Sequence, residues 1–182
     1  MKNKTKAGIA TTTIAAILFF ASSYLGKQET PNNSGFQDKI FQQEMASVGW
    51  RPGYSWCVYF TKLVWKKSIK NDTVRNIAMK LINGNSQVTL ANFQKDQSGR
   101  FILTDSARAG AIVIFQEYKN GSGSPSGHAG IVIEVHPGYY FTIEGNTNDV
   151  GGREGYIVAK KKRKYNFWTT NGLRLRKFIS IK

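Results

Sequence analysis

The chain has 182 residues, 41% of them hydrophobic and 13% aromatic, which excludes an intrinsically disordered protein. This length allows one domain with its own core plus a short appendage, and the single cysteine excludes an internal disulfide bond. The formal net charge of +15 favours polyanionic partners such as nucleic acid, anionic lipid or the phosphate-rich polymers of a bacterial wall.

Residues 1–26 have the layout of a secretory signal. Three lysines near the N-terminus precede an uncharged, mostly apolar stretch, AGIATTTIAAILFFASSYLG. The small residues at 21–23 suit a cleavage site, while the stretch at 7–25 is almost long enough to remain as a membrane anchor. Both forms predict an exported domain in the periplasm, the cell envelope or the extracellular space, with membrane contact only through 7–25 if the leader is uncut. Without the three lysines the formal net charge falls from +15 to +12.

The segment at 27–35 is polar and contains proline, asparagine and glycine, which is typical of a linker. A first helix is predicted at about 37–47, where apolar residues roughly follow one helical face. A second short helix is predicted at 73–82, followed by a polar loop around NGNS. The first half of the domain is therefore expected to be helical.

The segment between these two helices holds the cysteine. A helix is predicted from Ser55 or Trp56 to about Lys67, with Ser55 as the N-cap. Its buried face is formed by residues at helical spacing: Cys57, Phe60, Thr61, Val64 and Trp65. Cys57 is therefore expected in the first turn, on the inward face.

From Ala109 onwards the hydrophobic period changes to two. Five strands are predicted: GAIVIFQ, HAGIVIEV, YYFTIEG, GYIVAKKKRK and LRLRKFISI. The sequence YKNGSGSPSG between the first two is predicted to be a flexible loop that leads into His128. Helices followed by strands predict an α+β domain.

The second and third of these strands are predicted to form a hairpin with the three-residue turn His-Pro-Gly. In this register Val135 faces Tyr139, and Ile131 faces Ile143. The apolar residues of both strands then share one face of the sheet.

The opposite face of the same hairpin collects polar residues at one end. His128, Glu144 and Asn146 meet there, whereas His136 lies in the turn at the other end. A thiolate beside this cluster would be a nucleophile, since a helix N-terminus and a nearby imidazole both favour the thiolate. Histidine can carry the thiol proton to a leaving amine, and a carboxylate or amide can orient the ring. The alternative for Cys57, a small buried core residue, stays open on this evidence.

Four sequence segments carry a family resemblance. The WC pair that opens a helix, followed by GHAGIVIEV, FTIEGNTN and GGREGYIV, resembles the CHAP domain, a cysteine, histidine-dependent amidohydrolase/peptidase. CHAP domains belong to the NlpC-type papain-like cysteine peptidases. The resemblance implies a catalytic domain over 36–182, with N-terminal helices packed on an antiparallel sheet of about five strands.

The resemblance also implies roles for the clustered residues. Cys57 corresponds to the nucleophile and His128 to the general base and acid. Glu144 corresponds to the orienting residue, with Asn146 as its polar neighbour and the competitor for that role. Together with the predicted export leader, the resemblance implies an exported peptidoglycan hydrolase that cleaves an amide of the stem peptide, the crossbridge or the sugar–peptide link.

No cofactor is expected from this resemblance. Some family members bind calcium through an Asp-rich loop ahead of the cysteine, but the corresponding sequence SVGWRPGYS contains no acid. We therefore predict no metal site.

The basic run KKKRK at 160–164 has two interpretations. It is a solvated basic edge strand, or it attracts the domain to anionic wall polymers. No motif predicts specific nucleic-acid recognition. Two other functions stay open: a catalytically inactive domain of the same fold that binds the wall or a partner, and a polyanion-binding basic protein.

Overall fold

A computed structural model describes residues 2–148 and 155–182, with side chains from residue 12 onwards. Within these residues the chain forms five α-helices: α1 (Lys2–Ser23), α2 (Lys39–Ala46), α3 (Cys57–Ser68), α4 (Asp72–Leu81) and α5 (Ser86–Lys95). It also forms eight strands: β1 (Glu29–Thr30), β2 (Gly35–Phe36), β3 (Phe101–Thr104), β4 (Ile112–Lys119), β5 (Ser122–His136), β6 (Tyr139–Thr147), β7 (Ile157–Lys164) and β8 (Gly172–Ile181).

Six of these strands form one antiparallel sheet. Its strand order is β3-β8-β4-β5-β6-β7, while β1 and β2 pair separately. The α+β prediction is confirmed, and the five predicted strands correspond to β4 through β8. The sixth strand, β3, has only four residues and pairs with β8, so its short sequence gave little periodicity to detect.

The predicted helices α2, α3 and α4 are present, with differences at their ends. Asp38 and Asn71 cap α2 and α4 through their side chains. Ser55 does not cap α3, because Trp56 occupies that position and makes no side-chain capping bond. Cys57 lies in the first turn as predicted, and it is the first residue of the helix.

One helix was not predicted. Helix α5 begins directly after the NGNS loop, where the Asn85 side chain accepts hydrogen bonds from the backbone N–H groups of Gln87 and Val88. The polar sequence of this segment lacks a clear apolar stripe, although Leu90 and Phe93 are buried. The capping asparagine was the feature of the sequence that could have predicted this helix.

The prediction of a flexible loop before His128 is wrong. Strands β4 and β5 continue through most of it, pairing Lys119 with Ser122. The turn is Asn120-Gly121, and both residues have positive φ angles, of 50° and 78°. Asn-Gly is the preferred sequence for such a two-residue turn, because both central residues must adopt this conformation.

The hairpin of β5 and β6 keeps part of the predicted register but has a different turn. Ile131 pairs with Ile143 as predicted, but Val135 pairs with Tyr140 and not with Tyr139. The turn contains two residues, Pro-Gly, and a β-bulge around Ile133 compensates for the shorter turn. The bulge places Val135 on the opposite face from the one predicted, while Ile131 keeps its predicted partner.

Both faces of the large sheet are buried. The helices pack on one face and form the helix-side core with sheet residues Ile112, Ile114, Ala129, Ile131, Ile143, Val158 and Ile179. The second core, on the other face, contains Ala107, Ala111, Val113, Phe115, Val132, Tyr140, Leu175 and Phe178. The candidate catalytic residues come from the start of α3, the middle of β5 and the C-terminal part of β6.

The N-terminal segment packs on the same domain. Ile17, Ala21 and Tyr24 are buried in the helix-side core. Residues 27–35, for which the sequence predicts a linker, contain β1, and the backbone of Lys27 accepts a hydrogen bond from Val158 of β7. Among the residues that the structure describes, no helix combines the length and apolar character needed to span a membrane. The export leader stays a prediction.

Candidate functional site

Helix α3 packs on β5 and β6 and places Cys57 beside His128. The Cys57 side chain is buried, and the preceding Trp56 is fully buried against β6. This packing requires glycine at 145, because a Cβ there would lie 2.5 Å from the Trp56 ring and 2.7 Å from Phe60. The start of α3 is thus fixed beside Glu144, the residue that precedes Gly145.

His128 and Glu144 lie on adjacent strands and contact each other directly. His128 Nε2 and Glu144 Oε2 are 2.9 Å apart. The Glu144 side chain is completely buried, and that of His128 is 12% exposed. Gly130 makes room for the carboxylate, since a Cβ at that position would lie 2.6 Å from Glu144 Cγ.

Cys57 completes this series on the other side of the imidazole. Its sulfur hydrogen-bonds His128, and since Nε2 is engaged by Glu144, Nδ1 is the nitrogen left for the thiol. The imidazole therefore lies between a thiol and a carboxylate. Such an arrangement fixes the ring and lets it carry a proton.

Arg163 of β7 binds the far side of the Glu144 carboxylate. Its Nε donates to Oε1 at 2.8 Å, and its Nη2 donates to Oε2. The Thr142 hydroxyl also donates to Oε1, so each carboxylate oxygen accepts two hydrogen bonds when His128 is included. The buried charge is thereby compensated by hydrogen bonds on every side.

These contacts decide the protonation states. Burial lowers the pKa of His128, but attraction and hydrogen bonding to Cys57 and Glu144 outweigh burial and raise that pKa to about 10. Burial opposes ionisation of Glu144, yet hydrogen bonds and charges from Arg163 and His128 hold the pKa of this carboxyl well below its ordinary value. The pKa of Arg163 is raised, because Glu144 outweighs the effect of its own burial. At neutral pH His128 is therefore an imidazolium, and it faces Cys57.

The series opens into a cavity of about 470 Å³. Cys57, His128, Asn146, Lys161 and Arg163 contribute to its wall. The other lining residues are mostly small or polar: Ser55, Glu117, Ser126, Gly127, Thr147, Asn148, Gly155, Gly172 and Leu173. A polar peptide or amide substrate suits such a lining better than an apolar ligand.

Asn146 lies beside this series without completing it. It sits at a β-bulge between β6 and β7 and has a φ of 53°, a left-handed conformation that asparagine tolerates. It lines the cavity, but the imidazole donates its hydrogen bond to Glu144. The geometry therefore favours Glu144 over Asn146 as the orienting residue.

Arg163 was missed by the sequence analysis because it lies inside KKKRK. Residues on a strand alternate between faces. Arg163 pairs with Tyr140, and Lys161, two positions earlier on β7, pairs with Thr142. Lys161 and Arg163 therefore point to the cavity, whereas Lys160 and Lys162 are exposed on the other face. The sequence could have pointed to Arg163 because a buried Glu144 carboxylate needs a cationic partner.

The second histidine lies away from the series, and the described side chains include no group of metal ligands. His136 is exposed at the distant end of the hairpin, where it stacks on Tyr139 with ring centroids 4.7 Å apart. Among the side chains described, no three of His, Cys, Asp or Glu form a group able to hold a metal ion.

Comparison with known proteins gives one match. A family model described as the CHAP domain matches residues 49–146, more than half of the chain. The matched span contains Cys57, His128, Glu144 and Asn146, while Arg163 lies beyond it. No curated protein and no solved structure matches the chain significantly.

Proposed function

Because this chain belongs to the CHAP domain family, whose members are in general peptidoglycan amidases or peptidases, we propose that it is an exported cysteine peptidoglycan hydrolase. The observation that carries the proposal is the contact series from Cys57 through His128 to Glu144 at a polar cavity. The bond cleaved would be an amide of the stem peptide, the crossbridge or the sugar–peptide link.

In the first step the Cys57 sulfur attacks the carbonyl carbon of the amide. A carbon–sulfur bond forms, and the carbonyl oxygen takes the negative charge of a tetrahedral intermediate. The Cys57 backbone N–H has no acceptor within the helix, because it lies in the first turn, so it is available to this oxyanion. The carbon–nitrogen bond then breaks as the His128 imidazolium donates its proton to the leaving amine.

The second step releases the acyl group. The neutral His128 takes a proton from a water molecule, whose oxygen attacks the thioester carbon. The carbon–sulfur bond breaks, a carboxylic acid leaves, and the thiolate–imidazolium pair is restored. Glu144 would hold the imidazole in place and stabilise its charged form in both steps.

Export and the basic surface would bring the domain to its substrate. The leader at 1–26 would be cut, or would remain as an anchor through 7–25. The lysines exposed on β7 would attract anionic wall polymers without any sequence-specific nucleic-acid contact. N-terminal sequencing of protein recovered from the cell envelope tests this: a start after residue 20 supports cleavage, a start at residue 1 supports the anchor, and recovery only from the cytoplasm contradicts export.

The activity is tested by digesting purified peptidoglycan with the full chain and with Cys57→Ala, followed by mass spectrometry of the soluble products. We expect new fragments from the wild type only, and their masses identify the amide that was cleaved. Unchanged peptidoglycan with both proteins, across several wall chemotypes, contradicts the proposal. Wall binding that survives Cys57→Ala would then favour the inactive binding domain, and nucleic-acid affinity that falls steeply with salt would favour the polyanion-binding protein.

A further inference from the structure

We propose that Arg163 is a positioning residue, which keeps the Glu144 carboxylate charged and turned toward His128. It would extend the catalytic series to Cys57, His128, Glu144 and Arg163. The proposal rests on the proposed function for its role in hydrolysis, but its effect on the thiol can be measured without a substrate.

The first argument is the geometry of the guanidinium. Arg163 binds both oxygens of Glu144 through two different nitrogens, which fixes the plane of the carboxylate as well as its position. One of these oxygens, Oε2, is also the partner of His128. A rotation of the carboxylate would therefore break the contact with the imidazole.

The second argument is that Arg163 is itself held in place. Its side chain is only 24% exposed, and its guanidinium lies over the Phe115 ring, 5.2 Å from the centroid. The same ring stacks beside the imidazole of His128, with centroids 6.4 Å apart. Phe115 thus supports both cationic groups, and the guanidinium is placed as firmly as the histidine.

The third argument concerns charge. Without Arg163, a completely buried carboxylate would keep only Thr142 and His128 as hydrogen-bond partners among the contacts described. Its protonation would then occur at higher pH, because the largest effect that favours its charged form would be lost. Removing the cation also disfavours a thiolate at Cys57, so both effects act in the same direction. Among the described residues, the other ionisable groups around the series are Tyr140 on β6, Lys161 on β7 and Glu117 on β4.

Strand β7 supplies a matched control. Lys162 is the neighbour of Arg163, but it is exposed on the opposite face, with its ammonium 3.9 Å from the centre of the Tyr139 ring. Lys162→Met removes the same charge from the same strand without touching the carboxylate. A general effect of net charge would appear in both variants, whereas positioning of Glu144 is lost only in Arg163→Met.

The test is the rate at which iodoacetamide alkylates Cys57 as a function of pH, followed by intact-protein mass. Cys57 is the only cysteine, so each adduct reports this thiol. In Arg163→Met we expect the acid limb of the profile to move to higher pH, and the rate of peptidoglycan cleavage to fall about 100-fold. Lys162→Met should keep the wild-type alkylation profile, which is measured without wall polymers, and Arg163→Lys should keep the acid limb near its wild-type position with a reduced cleavage rate.

Chemical rescue separates positioning from a general structural role. Arg163 lines the cavity, so millimolar guanidinium should enter the space left in Arg163→Ala and move the acid limb back toward the wild type. If Arg163→Met and Arg163→Ala do not fold, Arg163→Lys decides through its cleavage rate. A wild-type alkylation profile in folded Arg163→Met or Arg163→Ala overturns the proposal, and so does a wild-type cleavage rate in Arg163→Lys. If the profile moves as expected but the wild type cleaves no peptidoglycan, the proposed function fails while the positioning of Glu144 stands.

Discussion

The two halves of the candidate site are built from different forces. The Cys57 half is positioned by apolar packing: Trp56 and Phe60 press against Gly145, and no side chain caps the helix. The His128 half is positioned by hydrogen bonds and charge, with Glu144 as the centre of a buried network. Apolar packing depends on side-chain volume and little on pH, whereas the polar network depends also on the protonation of its members.

This difference predicts separate responses to mutation. Substitutions that disturb the packing around Trp56 should act mainly by changing the distance between Cys57 and His128, with a smaller effect on the pH dependence. Substitutions in the polar half should change protonation and so shift pH profiles. The predictions below test this separation, from the largest expected effect to the smallest.

Removing the thiol should have the largest effect on activity. Cys57→Ala should lower the rate of peptidoglycan cleavage by about 10⁴-fold or more, because the nucleophile is lost. The free energy of unfolding should change by about 1 kcal/mol, since only one buried sulfur is removed. A urea unfolding curve of the same preparation is the control, and residual cleavage near the wild-type rate would contradict the assignment of Cys57.

Neutralising the acid should affect activity and stability together. Glu144→Gln should lower the cleavage rate by about 10³-fold, because the imidazolium loses its charged partner. It should also destabilise the fold by about 3 kcal/mol, because Arg163 is left without its carboxylate. Asn146→Ala is the matched comparison, and a larger loss of activity in that variant than in Glu144→Gln would transfer the orienting role to Asn146.

Removing the thiol should also change the titration of the histidine. Attraction and hydrogen bonding to Cys57 raise the pKa of His128, so Cys57→Ala should lower this pKa from about 10. NMR titration can resolve the effect, because the chain has two histidines and His136 is exposed as an internal reference. An unchanged midpoint for His128 would show that the sulfur and the imidazole are not coupled.

In the packing half, Gly145→Ala should destabilise the fold by about 2 kcal/mol, since the new methyl group overlaps Trp56 and Phe60. The start of α3 should shift, so cleavage should slow, with a smaller movement of its pH profile than in Arg163→Met. Unfolding curves and a pH–rate profile on one preparation check both points. An acid limb that moves as far as in Arg163→Met would remove the distinction between the two halves.

The smallest expected effect is on stability in acid. The folded-state pKa of Glu144 is lowered, so this group stabilises the fold above the ordinary carboxyl range, and that contribution is lost as the pH falls through it. Unfolding free energies measured from pH 6 down to about pH 3 should therefore fall less steeply in Glu144→Gln than in the wild type. Equal slopes would mean that Glu144 has the same pKa in both states.

Local patterns were enough to predict much of this architecture. Strand alternation brought His128 and Glu144 to one face, even though the expected turn length was wrong, because Ile131 and Ile143 fix the pairing near the site. Helical spacing placed Cys57 at the start of α3. These features depend on residues close in sequence or within one hairpin.

The remainder depends on contacts between distant segments. The approach of Cys57 to His128 requires Trp56 to pack on Gly145, and this contact leaves no periodic pattern in the sequence. Arg163 reaches Glu144 only through the register of β6 with β7, which follows a segment that lies partly outside the described residues. The CHAP model likewise ends at residue 146, so neither local pattern nor family match pointed to the arginine.

The most direct test of the account uses the wild-type protein and its single cysteine. Samples alkylated to increasing extents with iodoacetamide should be measured for adduct by intact mass and for peptidoglycan cleavage. We predict that the remaining activity falls in proportion to the unmodified fraction and reaches zero when every molecule carries one adduct. Cleavage that persists in fully alkylated protein would contradict a catalytic role for Cys57.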